Sequence, residues 1–273
     1  MSMLLEMLSY PFLVRALLGG MMVSLCAALL GVSLVLKRYS MIGDGLSHVS
    51  FGALSLAVAL GWSPLWVSIP IVTLAAFLLL RLTDNSKVKS DAAIAMISAG
   101  ALAFGVVITS LTTGMTTDVS SYMFGSILAM SRIDVILSVF LSVVVLCLFI
   151  FSYHKIFAVT FDESFARASG VRVESYKVLI AILTAITIVL GMRMMGAMLI
   201  SSLIIFPALT SMRLFGSFRG VVICSGVLAV FCLVIGMVVS YAASTPAGAS
   251  VVLVDMAVYA LAVILSKKPA KHS

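Results

Sequence analysis

Long apolar runs dominate this 273-residue sequence and constrain its fold more than any other feature. Several of them reach the about 17–25 residues that an α-helix needs to cross a lipid bilayer. Within lipid, every backbone polar group needs a partner inside the protein, so only helices and closed barrels can span it. The runs are continuously apolar and do not alternate with polar residues, which favours helices. The sequence therefore predicts an all-α transmembrane bundle.

The number of predicted spans is eight to nine. They lie near 12–36, 44–60, 64–81, 91–111, 132–151, 174–192, 196–212, 219–240 and 249–266. The run at 196–212 is short and contains Pro207, which favours a broken or re-entrant segment. The polar stretches between the runs are too short for a second domain, so we expect a single transmembrane domain over residues 1–273.

Composition excludes a large soluble core as the reason for these runs. The chain is 63% hydrophobic and only 10% charged, whereas a soluble domain is about half apolar and about a quarter charged. The first run is not expected to be a cleavable signal peptide, because it continues to Leu36 and is stopped by Lys37 and Arg38.

Basic residues predict the orientation of the chain in the membrane. The net charge of +7 could suggest nucleic-acid binding, but the basic residues are scattered between the apolar runs, and no nucleic-acid partner is expected. Positive residues concentrate on the cytoplasmic side of membrane proteins. With the N-terminus outside and the C-terminus in the cytoplasm, all but three of the 17 basic residues lie inside. The three outside are Arg15, Arg132 and Arg193.

The stretch MIGDGLSHVS at 41–50 places an acid and an imidazole in an otherwise apolar region. Asp44 and His48 are four residues apart and therefore share one face of a helix. A carboxylate oxygen and an imidazole nitrogen are ordinary ligands of divalent cations such as Zn²⁺. The alternative is that Asp44 caps the helix N-terminus and His48 lies at the membrane interface. Spacing alone does not choose between the two.

A second polar segment, FDESFARASG at 161–170, has the pattern of a short amphipathic helix. Asp162 and Glu163 begin it and Gly170 follows its end, as is typical of helix termini. Phe165 and Ala166 are predicted on an apolar side and Arg167 on a polar side. The segment is either a solvated connector or a helix that docks into a soluble partner.

Other motifs restrict the possible functions. The sequence has no P-loop for ATP, no HExxH metalloprotease motif and no G-x-S-x-G nucleophile motif. The four cysteines all fall in apolar runs without CxxC spacing, as expected of small apolar residues in helices. They are Cys26, Cys147, Cys224 and Cys232.

Four motifs in order make the chain resemble the membrane permease of zinc/manganese ABC importers. They are GDGLSH at 43–48, FDESFARASG at 161–170, GAMLISSLIIFPA at 196–208 and TPAGASVVL at 245–253. The resemblance implies a homodimer in the bacterial cytoplasmic membrane that is not itself an enzyme and holds no tightly bound cofactor. Two cytoplasmic ATP-binding subunits dock on such permeases, and an extracytoplasmic metal-binding protein delivers the ion.

The same resemblance assigns roles to particular residues. Asp44 and His48 match the residues that line the family's metal path, and the segment from Asp162 to Ser169 matches its coupling helix. Manganese-type members often carry a Pro-Gly pair shortly after the His, whereas this chain has Ser-Phe-Gly-Ala at 50–53. The resemblance therefore favours zinc as the transported ion, with manganese or iron as alternatives.

Two other classes of membrane protein fit the sequence less well. A secondary cation transporter or channel would be expected to carry more buried acids, and apart from Asp44 only Asp255 is predicted to lie deep in a span. An intramembrane enzyme would need a nucleophile–base pair or a fuller set of metal ligands, and the sequence shows neither.

Overall fold

The computed structural model describes residues 9, 11–85, 90–113 and 132–266. Within these ranges the chain forms ten helices and no strand. They are α1 (Pro11–Leu36), α2 (Ile42–Ala59), α3 (Pro64–Asn85), α4 (Ser90–Thr113), α5 (Arg132–Phe161), α6 (Glu163–Ala168), α7 (Val173–Met195), α8 (Ala197–Leu214), α9 (Phe218–Ala243) and α10 (Ala247–Leu265).

Eight of the described helices are long and apolar enough to cross a membrane, which confirms the predicted transmembrane bundle. In α3 the side chains are described only as far as Leu79, and the apolar stretch found among them is Pro64–Leu79. Residues 86–89 and 114–131, which contain much of the polar sequence after α3 and after α4, lie outside the described residues, as do the basic residues after 266.

Helix α8 departs from the sequence prediction. The run around Pro207 was expected to be broken or re-entrant, but α8 is one continuous helix of 18 residues with Pro207 inside it. It follows α7 after a single residue, Gly196, whose φ of 89° is accessible mainly to glycine. The expectation of a break at Pro207 is therefore wrong, and the break lies at Gly196.

The connectors at one end of the bundle are tied together by contacts around α6. Lys37 after α1 pairs with Glu163 in α6, and Phe161 at the end of α5 packs against Phe218 at the start of α9. The hydroxyl of Ser266 after α10 donates to the carbonyl of Arg213 in α8. We call this the α6 end of the bundle.

Helix α1 lies at the centre of the bundle and packs against α5, α7, α8 and α9, while α2 packs against α3, α4, α7 and α8. Large apolar side chains fill the interior, among them Leu30, Leu183 and Ile188. Other large apolar side chains point outward, such as Leu111 and Phe151, which are 82% and 88% exposed. A bundle with apolar residues on both its inner and outer surfaces is what a lipid environment requires.

Two glycines allow α1 and α2 to approach the same residue of α8. A β-carbon at Gly31 would overlap the carbonyl oxygen of Ile204, and one at Gly43 would lie 3.0 Å from the Cδ1 atom of that side chain. In lipid, helices associate through such close packing of small residues, since burial of apolar surface gives little driving force. The junction of Gly31, Gly43 and Ile204 therefore fixes how α1, α2 and α8 fit together.

Gly31→Ala is expected to destabilise the bundle by about 1–3 kcal/mol, because the added methyl meets a backbone oxygen that cannot move aside. Thermal unfolding of purified protein in detergent measures the effect. Gly100→Ala is the matched control, since a β-carbon at Gly100 in α4 meets nothing within 4 Å. Equal unfolding temperatures for the two variants would contradict the close-packing account.

Candidate functional site

Asp44 lies inside the first turn of α2 and does not cap it. The helix begins at Ile42, and its N-cap residue, Met41, makes no side-chain hydrogen bond. The capping alternative for Asp44 is therefore wrong. A carboxylate in the first turn is nevertheless stabilised by the partial positive charge of the helix N-terminus.

Asp44 and His48 form a close pair on one face of α2. The Oδ2 atom of Asp44 lies 3.7 Å from the Nε2 atom of His48. Two ligands of a tetrahedral zinc ion, each at about 2.0–2.1 Å from the metal, would be about 3.3 Å apart. A small rotation of either side chain would thus allow both to contact one cation.

The pair remains accessible although most of its helix is buried. The side chain of Asp44 is 45% exposed and that of His48 is 20% exposed. The neighbouring residues Gly45, Leu46 and Ser47 are buried. The polar face of α2 is therefore open to an ion or to another chain, while its remaining surface packs in the bundle.

Packing contacts place this pair within the depth of the bundle. Gly43 lies against Ile204, midway along α8. Further along α2, Phe51 packs in a cluster with Met192 and Ala197, which flank the turn between α7 and α8. Asp44 and His48 lie between these two levels, so the site is not confined to the end of the bundle.

Within the described part of the chain, Asp44 and His48 together offer two potential metal ligands, fewer than a closed metal site needs. Among the described residues, no group of three or more His, Cys, Asp and Glu side chains could hold a metal ion. Two protein ligands allow weak, reversible binding, and other groups would have to complete the shell.

The short helix predicted at 161–170 is present as α6. The Oδ1 atom of Asp162 accepts a hydrogen bond from the backbone N–H of Phe165 at 2.9 Å, which caps the helix N-terminus. Gly170 follows with a φ of 79° and ends the segment.

The structure separates the two apolar residues that the sequence placed on one side of α6. Phe165 is 66% exposed, whereas Ala166 is fully buried against Val159 and Val173. Arg167 points outward and lies 3.5 Å from Glu174. Phe165 is thus the apolar side chain that α6 presents to its surroundings, and Ala166 is the residue through which the helix packs against the bundle.

Glu163 connects α6 to two other helices, a role that the sequence did not reveal. Its Oε1 atom lies 2.5 Å from the Nζ of Lys37 at the end of α1, and its Oε2 atom lies 2.7 Å from the Nζ of Lys177 in α7. Partial burial tends to raise the pKa of Glu163, but the hydrogen bonds from Lys177 and Lys37 outweigh it, and the pKa is lowered. We call this three-residue contact the Glu163 clamp.

Asp255, the other acid predicted to lie deep in a span, is buried away from solvent and has partners on two neighbouring helices. The hydroxyl of Ser202 in α8 donates to its Oδ2 atom at 3.1 Å, and the thiol of Cys232 in α9 also bonds to it. A buried polar group with such partners ties helices together. All four cysteines are free.

Comparisons with known proteins agree with this architecture. The solved structure of PsaBC from Streptococcus pneumoniae in complex with Fab matches with a TM-score of 0.88 and 26% sequence identity. The match covers 98% of this chain and 96% of that chain.

Curated relatives match over nearly their whole length and are named for different metals. The high-affinity zinc uptake system membrane protein ZnuB of Haemophilus influenzae is 30% identical, over 92% of this chain and 97% of its own. The manganese import system permease protein ScaB of Streptococcus gordonii is 27% identical, over 95% of this chain and 93% of its own. The prediction of a transport subunit that is not itself an enzyme is thus confirmed, and the likeness leaves the metal open.

The family model described as the ABC 3 transport family matches residues 9–266, which is almost the entire chain. With eight described helices able to span a membrane and relatives named as metal transport permeases, the chain belongs to this family of ABC transport membrane proteins.

Proposed function

We propose that this chain is the permease subunit of an ATP-driven importer for a divalent metal ion, with zinc as the ion carried. The observation that supports this most directly is the Asp44–His48 pair, an accessible carboxylate and imidazole 3.7 Å apart within the depth of the bundle. Zinc accepts both ligand types. The Ser-Phe-Gly-Ala sequence at 50–53, in place of a Pro-Gly pair, favours zinc over manganese.

The incomplete coordination shell suits a transport path. A closed four-ligand site would hold zinc tightly, as structural zinc sites do, whereas an imported ion must be released on the other side. Water or a second copy of the chain would complete the shell around Asp44 and His48. The carboxylate offsets part of the cost of removing a divalent cation from water.

The proposed orientation places the α6 end in the cytoplasm. The basic residues assign the connectors after α1, α5 and α8 to that side. In the structure these connectors meet through the contacts of Lys37 with Glu163 and of Phe161 with Phe218. Helix α6 then faces the compartment that contains ATP. The sequence of this chain has no P-loop motif of its own for binding ATP.

Two cytoplasmic ATP-binding subunits would drive the cycle by contact with α6 in each copy of a homodimer. The exposed ring of Phe165 is an anchor of the kind that dominates protein interfaces. The Glu163 clamp joins α6 to Lys37, which lies seven residues before Asp44. A movement of α6 would therefore reach the α1–α2 connector and the metal-binding pair through a direct ionic contact.

Asp44→Asn and His48→Ala are each expected to reduce zinc uptake roughly tenfold or more, because each removes one of the two proposed ligands of this chain. Uptake is measured in proteoliposomes containing the complete transporter, and normalised to assembled complex. Since both changes act on one site, the double variant should be little worse than either single variant.

The matched control for these variants is Asp255→Asn, which changes a buried carboxylate that already has partners in Ser202 and Cys232. It is expected to leave uptake per assembled complex unchanged. Wild-type uptake by assembled Asp44→Asn complexes would contradict the proposed metal site.

Phe165→Asp is expected to abolish co-purification of the ATP-binding subunits, because it would bury an unpaired charge in the contact. The permease itself should still insert and fold, since Phe165 is largely exposed. Arg172→Gln is the control, because it changes an exposed side chain that lies outside α6. Full recovery of the ATP-binding subunits with Phe165→Asp would show that α6 docks by other residues or not at all.

Glu163→Gln is expected to leave docking intact but to lower zinc uptake per ATP hydrolysed, because α6 loses its ionic contact with α1. Hydrogen exchange of the amides in α6 should also become faster. Because the pKa of Glu163 is lowered, the clamp is complete at neutral pH and is lost only as pH falls through that lowered value.

Glu174→Gln is the control for the clamp, since Glu174 is 76% exposed and its contacts with Arg167 and Lys177 are long, at 3.5 and 4.0 Å. Unchanged uptake per ATP in Glu163→Gln would exclude a role of the clamp in transmission.

A further inference from the structure

An apolar groove opens on the outside of the bundle between α1, α5 and α9. Its volume is about 1070 Å³. Its apolar lining includes Leu25 and Leu29 of α1, Phe149 of α5 and Val227 of α9. The groove lies on helices that the proposed metal site does not use.

The polar lining of the groove is confined to one end. Three residues, Tyr153, His154 and Arg219, are the only ones among its described lining that carry a polar or charged side chain. The ring of Tyr153 lies 5.5 Å from that of Phe218, next to Arg219, so the polar end is at the α6 end of the bundle. The remaining lining is entirely apolar.

Arg219 offers a positive charge at this mouth. It is exposed, and within the described part of the chain no acidic side chain forms an ion pair with it. A guanidinium group binds phosphate oxygens through two parallel hydrogen bonds. His154, also exposed, lines the same mouth and adds a second possible donor.

The length of the groove matches one leaflet of a bilayer. Along α9 it extends from Arg219 to Val234, which at about 1.5 Å per residue is about 22 Å. One leaflet together with its headgroup region is about 20–22 Å thick, half of the about 40–45 Å of a whole bilayer. A lipid whose headgroup lies at Arg219 could therefore place an acyl chain along the groove.

We propose that this groove between α1, α5 and α9 is a binding site for an anionic phospholipid, whose phosphate contacts Arg219 and His154 and whose acyl chain lies over Leu25 and Leu29. Charge complementarity at the mouth and the apolar interior together select a lipid over a peptide or a soluble anion. The bound lipid fills space between three helices and so stabilises the contact of α1 with α5 and α9.

The test uses the purified full-length protein in neutral detergent, mixed with phosphatidylglycerol or phosphatidylcholine. Native mass spectrometry measures the lipid retained, and thermal unfolding measures the stabilisation. Wild type should retain phosphatidylglycerol in preference to phosphatidylcholine. Arg219→Gln should retain it about tenfold less well, as expected for loss of a charged hydrogen-bond partner.

Two variants serve as controls. Arg172→Gln removes an exposed charge that does not line the groove, and should leave retention unchanged. Val227→Trp keeps the charge of Arg219 but fills the groove, because Val227 lines the groove and is 63% exposed. It should displace the lipid as Arg219→Gln does, and it keeps the proposal testable if Arg219→Gln does not fold.

Three outcomes would overturn the proposal. The first is retention that does not depend on the proposed contact: wild type retains phosphatidylglycerol and phosphatidylcholine equally, or Arg219→Gln retains phosphatidylglycerol as well as wild type does. Another is stabilisation by glycerol phosphate as strong as that by phosphatidylglycerol, which would indicate a soluble phosphate site. The last is efficient disulfide cross-linking between two copies with Val227→Cys in a background without native cysteines, which would show that the groove is a seam between copies.

Discussion

The close packing of Gly31 and Gly43 around Ile204 is the contact on which the rest of the structure depends. It brings three helices, α1, α2 and α8, to one point in a bundle where burial of apolar side chains gives little driving force, since lipid is as apolar as the interior. Asp44 is the next residue after Gly43 in α2. The position of the proposed metal-binding pair in the bundle therefore follows from how closely these helices can approach.

A continuous set of contacts leads from α6 to that pair. Ala166 seats α6 against Val159 and Val173, Asp162 caps it, and Glu163 joins it to Lys37. Only five residues separate α1 from the start of α2, in whose first turn Asp44 lies. A chain that has no P-loop motif in its sequence thus connects its exposed Phe165, through α6 and the Glu163 clamp, to the segment that leads to the proposed ion site. The exposure of Phe165 and the burial of Ala166 divide α6 into an outward and an inward face.

Most of the architecture could be predicted because the apolar runs are long and continuous. In lipid, a helix pairs the backbone polar groups of such a run within the run itself. Asp44 and His48 could be paired from their spacing alone, since residues four apart share a helix face. Pro207 was misleading because a proline inside a membrane helix can be tolerated when neighbouring groups satisfy the backbone. Gly196, with its positive φ, makes the turn instead.

The features that sequence reasoning missed depend on contacts between distant segments. Lys37 and Glu163 are 126 residues apart, and nothing in the local pattern of either predicts that they meet. The groove with Arg219 at its mouth likewise arises only when α1, α5 and α9 are assembled. The groups that would complete the proposed metal site beside Asp44 and His48 also belong to this class, because they depend on what lies beside the open face of α2.

The central claim is that this chain carries a divalent metal ion, with zinc preferred. It is tested most directly by ATP-dependent uptake into proteoliposomes that contain the permease with its ATP-binding and metal-binding partners, with zinc, manganese and iron in competition. We expect zinc to accumulate, and an excess of manganese or iron to reduce its uptake only slightly. Accumulation of manganese or iron in preference to zinc would contradict the assignment of the ion, and ATP-independent uptake of all three would contradict the mechanism.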